Sequence, residues 1–249
     1  GGTLVLSGDN DQGAGNQFLG AVVVGSGTIR ATHADALGAV STSGVIVRYL
    51  GTLSLEAPMT IQNRQLDLAG NGVANNGALV VTSGNAVTWG TGTTVVNLNS
   101  VGALNPNITL VNVAGALTLN ATVGGGAQLT KIGGGNLTYG GTAQNSNTQP
   151  VNVNEGTLTL DKAAAVQAVR STLTIEDLNN FDPAGAAIVT YGAGGGTDNI
   201  DNAVTVTIND QGQLLLANAS DTITTLNVNG TRIGSNNVAT GTGVLTLNG

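Results

Sequence analysis

A chain of 249 residues with 39 glycines, 8% charged residues and 2% aromatics suits one elongated domain better than an ordinary globular one, whose charged fraction is roughly 25%. The 41% hydrophobic content excludes disorder, and seven scattered Lys and Arg in a net charge of −7 exclude a nucleic-acid surface. Without cysteine there are no disulfides or thiolate metal sites, and no stretch reaches the eighteen or so apolar residues of a membrane-spanning helix.

Strand-like alternation runs from one end to the other. GTLVLSG at 2–8 is followed by AVVVGSGTIRA at 21–31, VIVRYLGTLSLEA at 45–57 and RQLDLAG at 64–70. Next come GALVVTSG at 77–84, TTVVNLN at 93–99, ITLVNV at 108–113 and GALTLNATV at 115–123. The stretch 129–162, LTKIGGGNLTYGGTAQNSNTQPVNVNEGTLTLDK, holds three more runs, bounded by Gly, Asn and Pro. STLTIED at 171–177, AVTVTIND at 203–210, GQLLLAN at 212–218, ITTLNVNGTRIG at 223–234 and GVLTLNG at 243–249 complete the series. A period of two places alternate side chains on opposite faces of a strand. The nearest approach to a helix is DKAAAVQAV at 161–169, one or two turns at a corner.

Gly133–Gly135 are followed by another strand pattern rather than a helix, and no Gly-Lys-Ser or Gly-Lys-Thr occurs. The glycines therefore read as a corner, not a phosphate loop. The module G-x-L-x-L recurs as GTLVL, GTLSL, GALTL, GNLTY, GTLTL, GQLLL and GVLTL. Such a unit cannot bury its apolar residues alone and must stack on its neighbours. Uneven spacing and scarce hairpin signals argue against a meander or sandwich and for an all-β solenoid in which corners absorb insertions. The expected inward rows are Leu4, Leu6, Val22, Val24, Leu53, Leu55, Leu66, Leu68, Leu117, Leu119, Leu137, Leu158, Leu160, Leu214, Leu216, Leu245 and Leu247.

These residues resemble the autotransporter-associated β-strand repeats (passenger-associated repeats) of bacterial surface and secreted proteins. The pattern L-x-K-x-G-x-G-x-L-x-x-x-G, a variable loop, then V-x-V-x-x-G-x-L-x-L falls on Leu129, Lys131, Gly133, Gly135, Leu137, Gly141, Val151, Val153, Gly156, Leu158 and Leu160. A second copy starts at GTLVLSG and ends at Ala36, Leu37 and Gly38. The segments RQLDLAGNGVANNGALVVTSGNAVTWGTGT and AVTVTINDQGQLLLANASDTITTLNVNG are also similar to stretches of the family, so the likeness covers almost the whole chain. The loop GTAQNSNTQPVNV lacks the family's usual Tyr-x-Gly. The resemblance implies a right-handed parallel β-helix in a long extracellular protein, some members of which end in an outer-membrane barrel that this segment does not contain.

The candidate chemistry is sparse. Neighbouring rungs offer Glu155 with Glu176, or Asp198 with Asp201, as carboxylate pairs for a carbohydrate-active enzyme. His33 with Asp35 is the one possible dyad, but ATHADALGA reads better as a polar corner. GGGTDNID (Asp198, Asp201) and SGDNDQGAGN (Asp9, Asp11) are candidate calcium loops that lack the spacing of known calcium motifs. Trp89 fits a packed corner better than a sugar-stacking platform. Asn97, Asn99, Asn152, Asn154, Asn227 and Asn229 fit outward ladders or solvated positions. No catalytic residue and no cofactor is expected.

The expected function is that of a stiff structural rod in a large bacterial cell-surface or extracellular fibrous protein. An adhesin-type module for cells or glycans is the alternative class, and a β-helical carbohydrate enzyme a third. The start carries neither an initiator methionine nor a signal peptide, no charged cap shows at either terminus, and the module opening at Gly2 recurs at Gly243. The expectation is a piece of a longer protein, about one period of a larger array, each end meeting another coil of the same polypeptide or of a neighbouring copy. Exposed aromatics beside a groove would favour the adhesin; a carboxylate cluster in a cleft would favour the enzyme.

Overall fold

The computed structural model describes residues 1–9, 20–38, 43–91, 93–99, 107–176, 186–194, 196–230 and 237–249. In chain order the strands are β1 (Thr3–Leu6), β2 (Val22–Ala31), β3 (Val45–Leu55), β4 (Met59–Ile61), β5 (Leu66–Leu68), β6 (Leu79–Val81), β7 (Ala86–Trp89) and β8 (Val95–Leu98). They continue as β9 (Ile108–Val113), β10 (Ala116–Leu119), β11 (Thr122–Gly125), β12 (Gln128–Ile132), β13 (Asn136–Gly141), β14 (Val151–Val153), β15 (Thr157–Lys162) and β16 (Leu173–Glu176). The last are β17 (Ile188–Tyr191), β18 (Thr205–Asn209), β19 (Gln213–Leu215), β20 (Asp221–Ile223), β21 (Thr225–Val228), β22 (Val238–Ala239) and β23 (Leu245–Leu247). The pairings of these strands are parallel, and the chain stacks in about nine turns as a β-solenoid, or parallel β-helix. A single-turn 3₁₀ segment, Val73–Asn75, interrupts the strands among the described residues. The corner 163–166 is a turn closed by Val166 N donating to Ala163 O (3.1 Å), not the helical turn expected of DKAAAVQAV; Ala165 there has φ 57°.

Each coil has three faces. The second face carries β1, the C-terminal halves of β2 and β3, then β6, β9, β12, β14, β16, β18 and β21. The third carries β4, β7, β10, β13, β15, β17, β19 and β22. The first begins with the N-terminal halves of β2 and β3, continues through β5, β8 and β11, and ends with β20 and β23. Between β11 and β20 this face carries no named strand among the described residues, and its coils are joined by bonds such as Ser146 N to Val123 O (2.8 Å) and Ala168 N to Asn199 O (2.7 Å) and by an isolated bridge between Val169 and Ile200.

In-register stacking turns the alternation into rows. On the third face Ile61, Trp89, Leu119, Tyr139, Leu160 and Tyr191 form one inner row, and Met59, Val87, Leu117, Leu137, Leu158 and Val189 another. Between them, outward, lie Thr60, Thr88, Thr118, Thr138, Thr159 and Thr190. Each fully buried leucine contributes about 2–3 kcal/mol of apolar transfer, and one continuous core cluster runs from Val22 to Ile223.

Of the seventeen residues assigned inward, Val22, Val24, Leu53, Leu55, Leu66, Leu68, Leu117, Leu119, Leu137, Leu158, Leu160, Leu214 and Leu216 are buried, while Leu6 and Leu245 are partly buried against the core. Leu4 and Leu247 depart from the assignment, each 55% exposed. Leu4 aligns with Ile29 and Leu53, but among the described residues β1 has a paired strand on one side only. Leu247 is likewise paired on one side only, with Ile223.

The corners explain the glycines. Gly115, Gly135 and Gly156 precede β10, β13 and β15 and stack backbone on backbone; a Cβ on Gly156 would lie 2.5 Å from Gly133 O, and its φ is 63°. Gly134, by contrast, faces open space. The ladder slips once, between β2 and β3: Val24 pairs with Val47 and Ser26 with Leu50, so Arg48 and Tyr49 together face Gly25 in a β-bulge.

Candidate functional site

The structure puts Glu155 out of register with Glu176 and engages Asp198 and Asp201 with other partners. Register places Glu176 opposite Asn209, with Val153 opposite Ile175. Glu155 is thus out of step with Glu176, and its carboxylate accepts from Gly133 N at 2.8 Å instead. Asp201 Oδ1 accepts from its own turn at Ala203 N (2.9 Å), and Oδ2 lies 4.0 Å from Arg170 Nε. Asp198 turns in a left-handed conformation, φ 66°, and its Oδ1 takes the Asn202 amide at 2.8 Å when that amide is oriented to donate. Asp9 is exposed beyond β1, and Asp11 lies outside the described residues. Among the described residues no group of three His, Asp or Glu side chains converges on a point where a metal ion would fit. No helix among them is long and apolar enough to cross a membrane.

His33 and Asp35 are neighbours with the wrong polarity for a dyad. His33 Nδ1 accepts the Asp35 backbone N–H (3.2 Å), whereas a dyad needs Nδ1–H donated to the carboxylate, which is 3.9 Å away. The pair closes a surface turn in which Ala36 N also donates to His33 O (3.1 Å). Trp89 is fully buried and donates its indole N–H to Arg64 O at 2.8 Å. The Arg64 guanidinium in turn reaches Gly20 O at 3.3 Å. The asparagine ladders are short: Asn97 donates to Asp67 (2.7 Å) and Asn229 to Asn209 (3.0 Å).

The sequence reading did not anticipate the buried polar groups. Lys131 occupies the inner row between Val111 and Val153. Its stem fills the row, and its ammonium donates to the corner carbonyls of Gly133 and Glu155, both at 2.7 Å. Burial lowers its pKa to about 8, against a smaller opposing pull from Glu155. Lys162 does the same at the next corner, donating to Gly140 O (2.9 Å) and Ala143 O (2.7 Å), and burial lowers its pKa to about 8. Each lysine ties carbonyls at a corner where two coils meet.

On the first face, side chains replace missing ladder bonds. Asn145 Oδ1 accepts Val123 N (2.9 Å) while its Nδ2 donates to Ala168 O (2.7 Å), joining three coils. Asn199 Oδ1 accepts Lys162 N at 3.0 Å. Asp221 takes the equivalent place one coil on, its Oδ2 accepting Ile200 N (3.0 Å) and the Tyr191 hydroxyl, its Oδ1 accepting Thr222 N (2.6 Å). Burial holds the Asp221 carboxyl above its ordinary pKa, and burial also raises Tyr191, with Asp221 adding to it. Nothing local in ASDTIT distinguishes Asp221 from a solvated turn residue; only stacking beneath Tyr191 does.

Chemically, the interior polar groups hold coils together. Lys131, Lys162, Asn145, Asn199 and Asp221 all direct polar atoms to backbone groups of adjacent coils, while Asp161 Oδ1 and Arg170 Nε are buried without a hydrogen-bond partner among the described residues. Comparison of the chain with models of known protein families, with curated proteins and with solved structures gives no match.

Proposed function

We propose that this chain is a stiff rod segment of a large bacterial cell-surface or secreted fibrous protein of the passenger-associated repeat type. The observation that carries the reading is the continuity of the inner rows: Ile29, Leu53, Leu79, Val111, Lys131, Val153, Ile175 and Ile208 align without a break. A core continuous along one axis, with parallel backbone bonds running along that axis, resists bending and extension as a globular core does not. The pattern from Leu129 to Leu160 supports the family assignment, and sparse charge with many outward Thr and Asn suits an extracellular surface.

The inner row begins at Leu4 and ends at Val228, both exposed. Each end therefore offers an apolar row and a strand edge to a further coil, of the same polypeptide or of a neighbouring copy. Antibodies raised against the chain should label intact cells of the source organism or their spent medium, and electron micrographs of the native material should show thin filaments. Labelling confined to lysed cells, or compact particles alone, would refute the proposal.

A further inference from the structure

The bulge in β3 builds a surface feature that a rod does not need. It aims two consecutive residues, Arg48 and Tyr49, away from the regular ladder, and these line a cleft of about 380 Å³ with Ile46, Val47, Ala69 and Asn99. Bulges recur where a strand re-aims side chains toward a ligand. Three independent properties converge at this one.

The first is the aromatic ring. Trp89, Tyr139 and Tyr191 are buried in the third face's inner row, whereas Tyr49 alone among the described aromatics reaches the surface. Its ring rests on Gly70, where a Cβ would meet Tyr49 Cδ2 at 2.5 Å. A ring supported on one side is a rigid platform for the apolar C–H face of a sugar.

The second is the cation. Arg30 is bonded to Glu56, Arg170 to Asn145 O, and Arg64, Lys131 and Lys162 to backbone carbonyls. Arg48 is exposed and, alone among the described Lys and Arg, its side chain makes no hydrogen bond or ion pair. A guanidinium offers a planar fork that matches a carboxylate in two parallel bonds.

The third is Asn99. Its backbone N–H donates to Leu68 O (2.7 Å), which anchors it at the cleft, while its exposed side-chain amide has no partner in the chain. Ala69 N donating to Val47 O at 3.0 Å fixes the cleft floor. One apolar platform, one carboxylate fork and one bifunctional amide on a fixed backbone match an acidic pyranose.

We propose that the Arg48–Tyr49 bulge binds a hexuronic acid unit of a glycan, with Tyr49 against the ring face, Arg48 on the carboxylate and Asn99 on a ring hydroxyl. This site is independent of the rod reading, because neither end stacking nor filament growth needs it.

Calorimetric titration of the whole chain with tetragalacturonate, and with its methyl ester as the uncharged counterpart, tests it. The acid should bind roughly tenfold more tightly than the ester, and the difference should shrink with added salt. Arg48→Gln should bring the acid down to the affinity of the ester, and Arg48→Lys should recover part of the loss. Tyr49→Ala should weaken both ligands, and Asn99→Ala should weaken both by less. All three side chains lie outside the core rows, so unchanged thermal melting of the four variants separates lost binding from lost fold. Equal binding of acid and ester, wild-type affinity in Arg48→Gln or Tyr49→Ala, or no heat of binding at millimolar ligand overturns the proposal. Filament images decide the rod reading separately.

Discussion

Strands β13 and β15 pair over six residues in unbroken register, from Asn136 opposite Thr157 to Gly141 opposite Lys162, whereas β2 and β3 pair over a longer span but slip at Gly25. In the first region every apolar side chain drops into a row: Leu137 under Leu158, Tyr139 under Leu160. In the second, the slip leaves Leu50 57% exposed and re-aims Arg48 and Tyr49. The two regions share composition and alternation. They differ by one unpaired residue, and that residue decides whether a strand serves the axis or the surface.

The widest contrast comes from a charge placed in each region. Leu158→Asp buries an unpaired carboxylate in the inner row and should cost about 4 kcal/mol or more, read as loss of cooperative urea unfolding. Leu50→Asp, beside the bulge, should stay within about 0.5 kcal/mol of the parent. A stable Leu158→Asp protein would break the comparison.

The buried lysines give the next largest effect. The folded pKa of Lys131 is depressed from 10.5 to about 8, so the folded state releases its proton first. Stability is therefore lower below pH 8 and rises from there toward pH 10.5, by about 3 kcal/mol if Lys131 acts alone. Burial raises Tyr139 and Tyr191, which retain their protons longer when folded, and this opposes the gain above the ordinary tyrosine range. Urea midpoints between pH 7 and 10 should rise, and Lys131→Met should flatten the slope. An unchanged slope would mean that the ammonium is not buried in solution.

The corner itself sharpens the contrast further. Gly156→Ala meets the carbonyls of Gly133 and Gly135 at a φ of 63° and should cost about 1–2 kcal/mol. Gly134→Ala, between the two stacked glycines but with its own Cβ position facing open space, should be near neutral. Equal melting shifts for the two would show that the corners do not stack as described.

The smallest effect is expected at Asp221. Its raised folded pKa means that its stabilisation is fully present below the ordinary pKa of 3.8 and is lost as pH rises through the folded value. Asp221→Asn keeps one acceptor for Ile200 N and resembles Asn145 and Asn199, so the change at neutral pH should be within about 1 kcal/mol. The acid-range pH dependence of stability should weaken in the variant. A strongly destabilised variant would show that the carboxylate, rather than the ladder bond, holds this coil.

The strands were legible where glycine or a loop preceded an alternating run, as in Gly156 to Leu160. Five were not: β4, β7, β17, β20 and β22 are two to four residues long and lie in stretches whose own alternation is too brief to register. Lys131 was legible as a motif position but not as an inner one, since a lysine reads as surface until the corner carbonyls that receive it are in place. Tyr49 gave no signal, because a bulge depends on the partner strand and not on the bulged one.

By itself the sequence determined that the chain is all-β, that its short strands alternate, and that they must stack to bury their leucines, because period-two patterns and glycine corners are properties of a segment and its neighbours. Only the tertiary structure decided which face each module serves. GTLVL and GTLSL lie on the second face, GALTL, GNLTY, GTLTL and GQLLL on the third, and GVLTL on the first, so the modules at Gly2 and Gly243 share a motif but not a place in the coil. The physical reason is that G-x-L-x-L specifies a corner followed by a strand, and a three-faced coil has three such places. Which one a module occupies depends on the summed length of the loops before it and on the coil already laid down beneath.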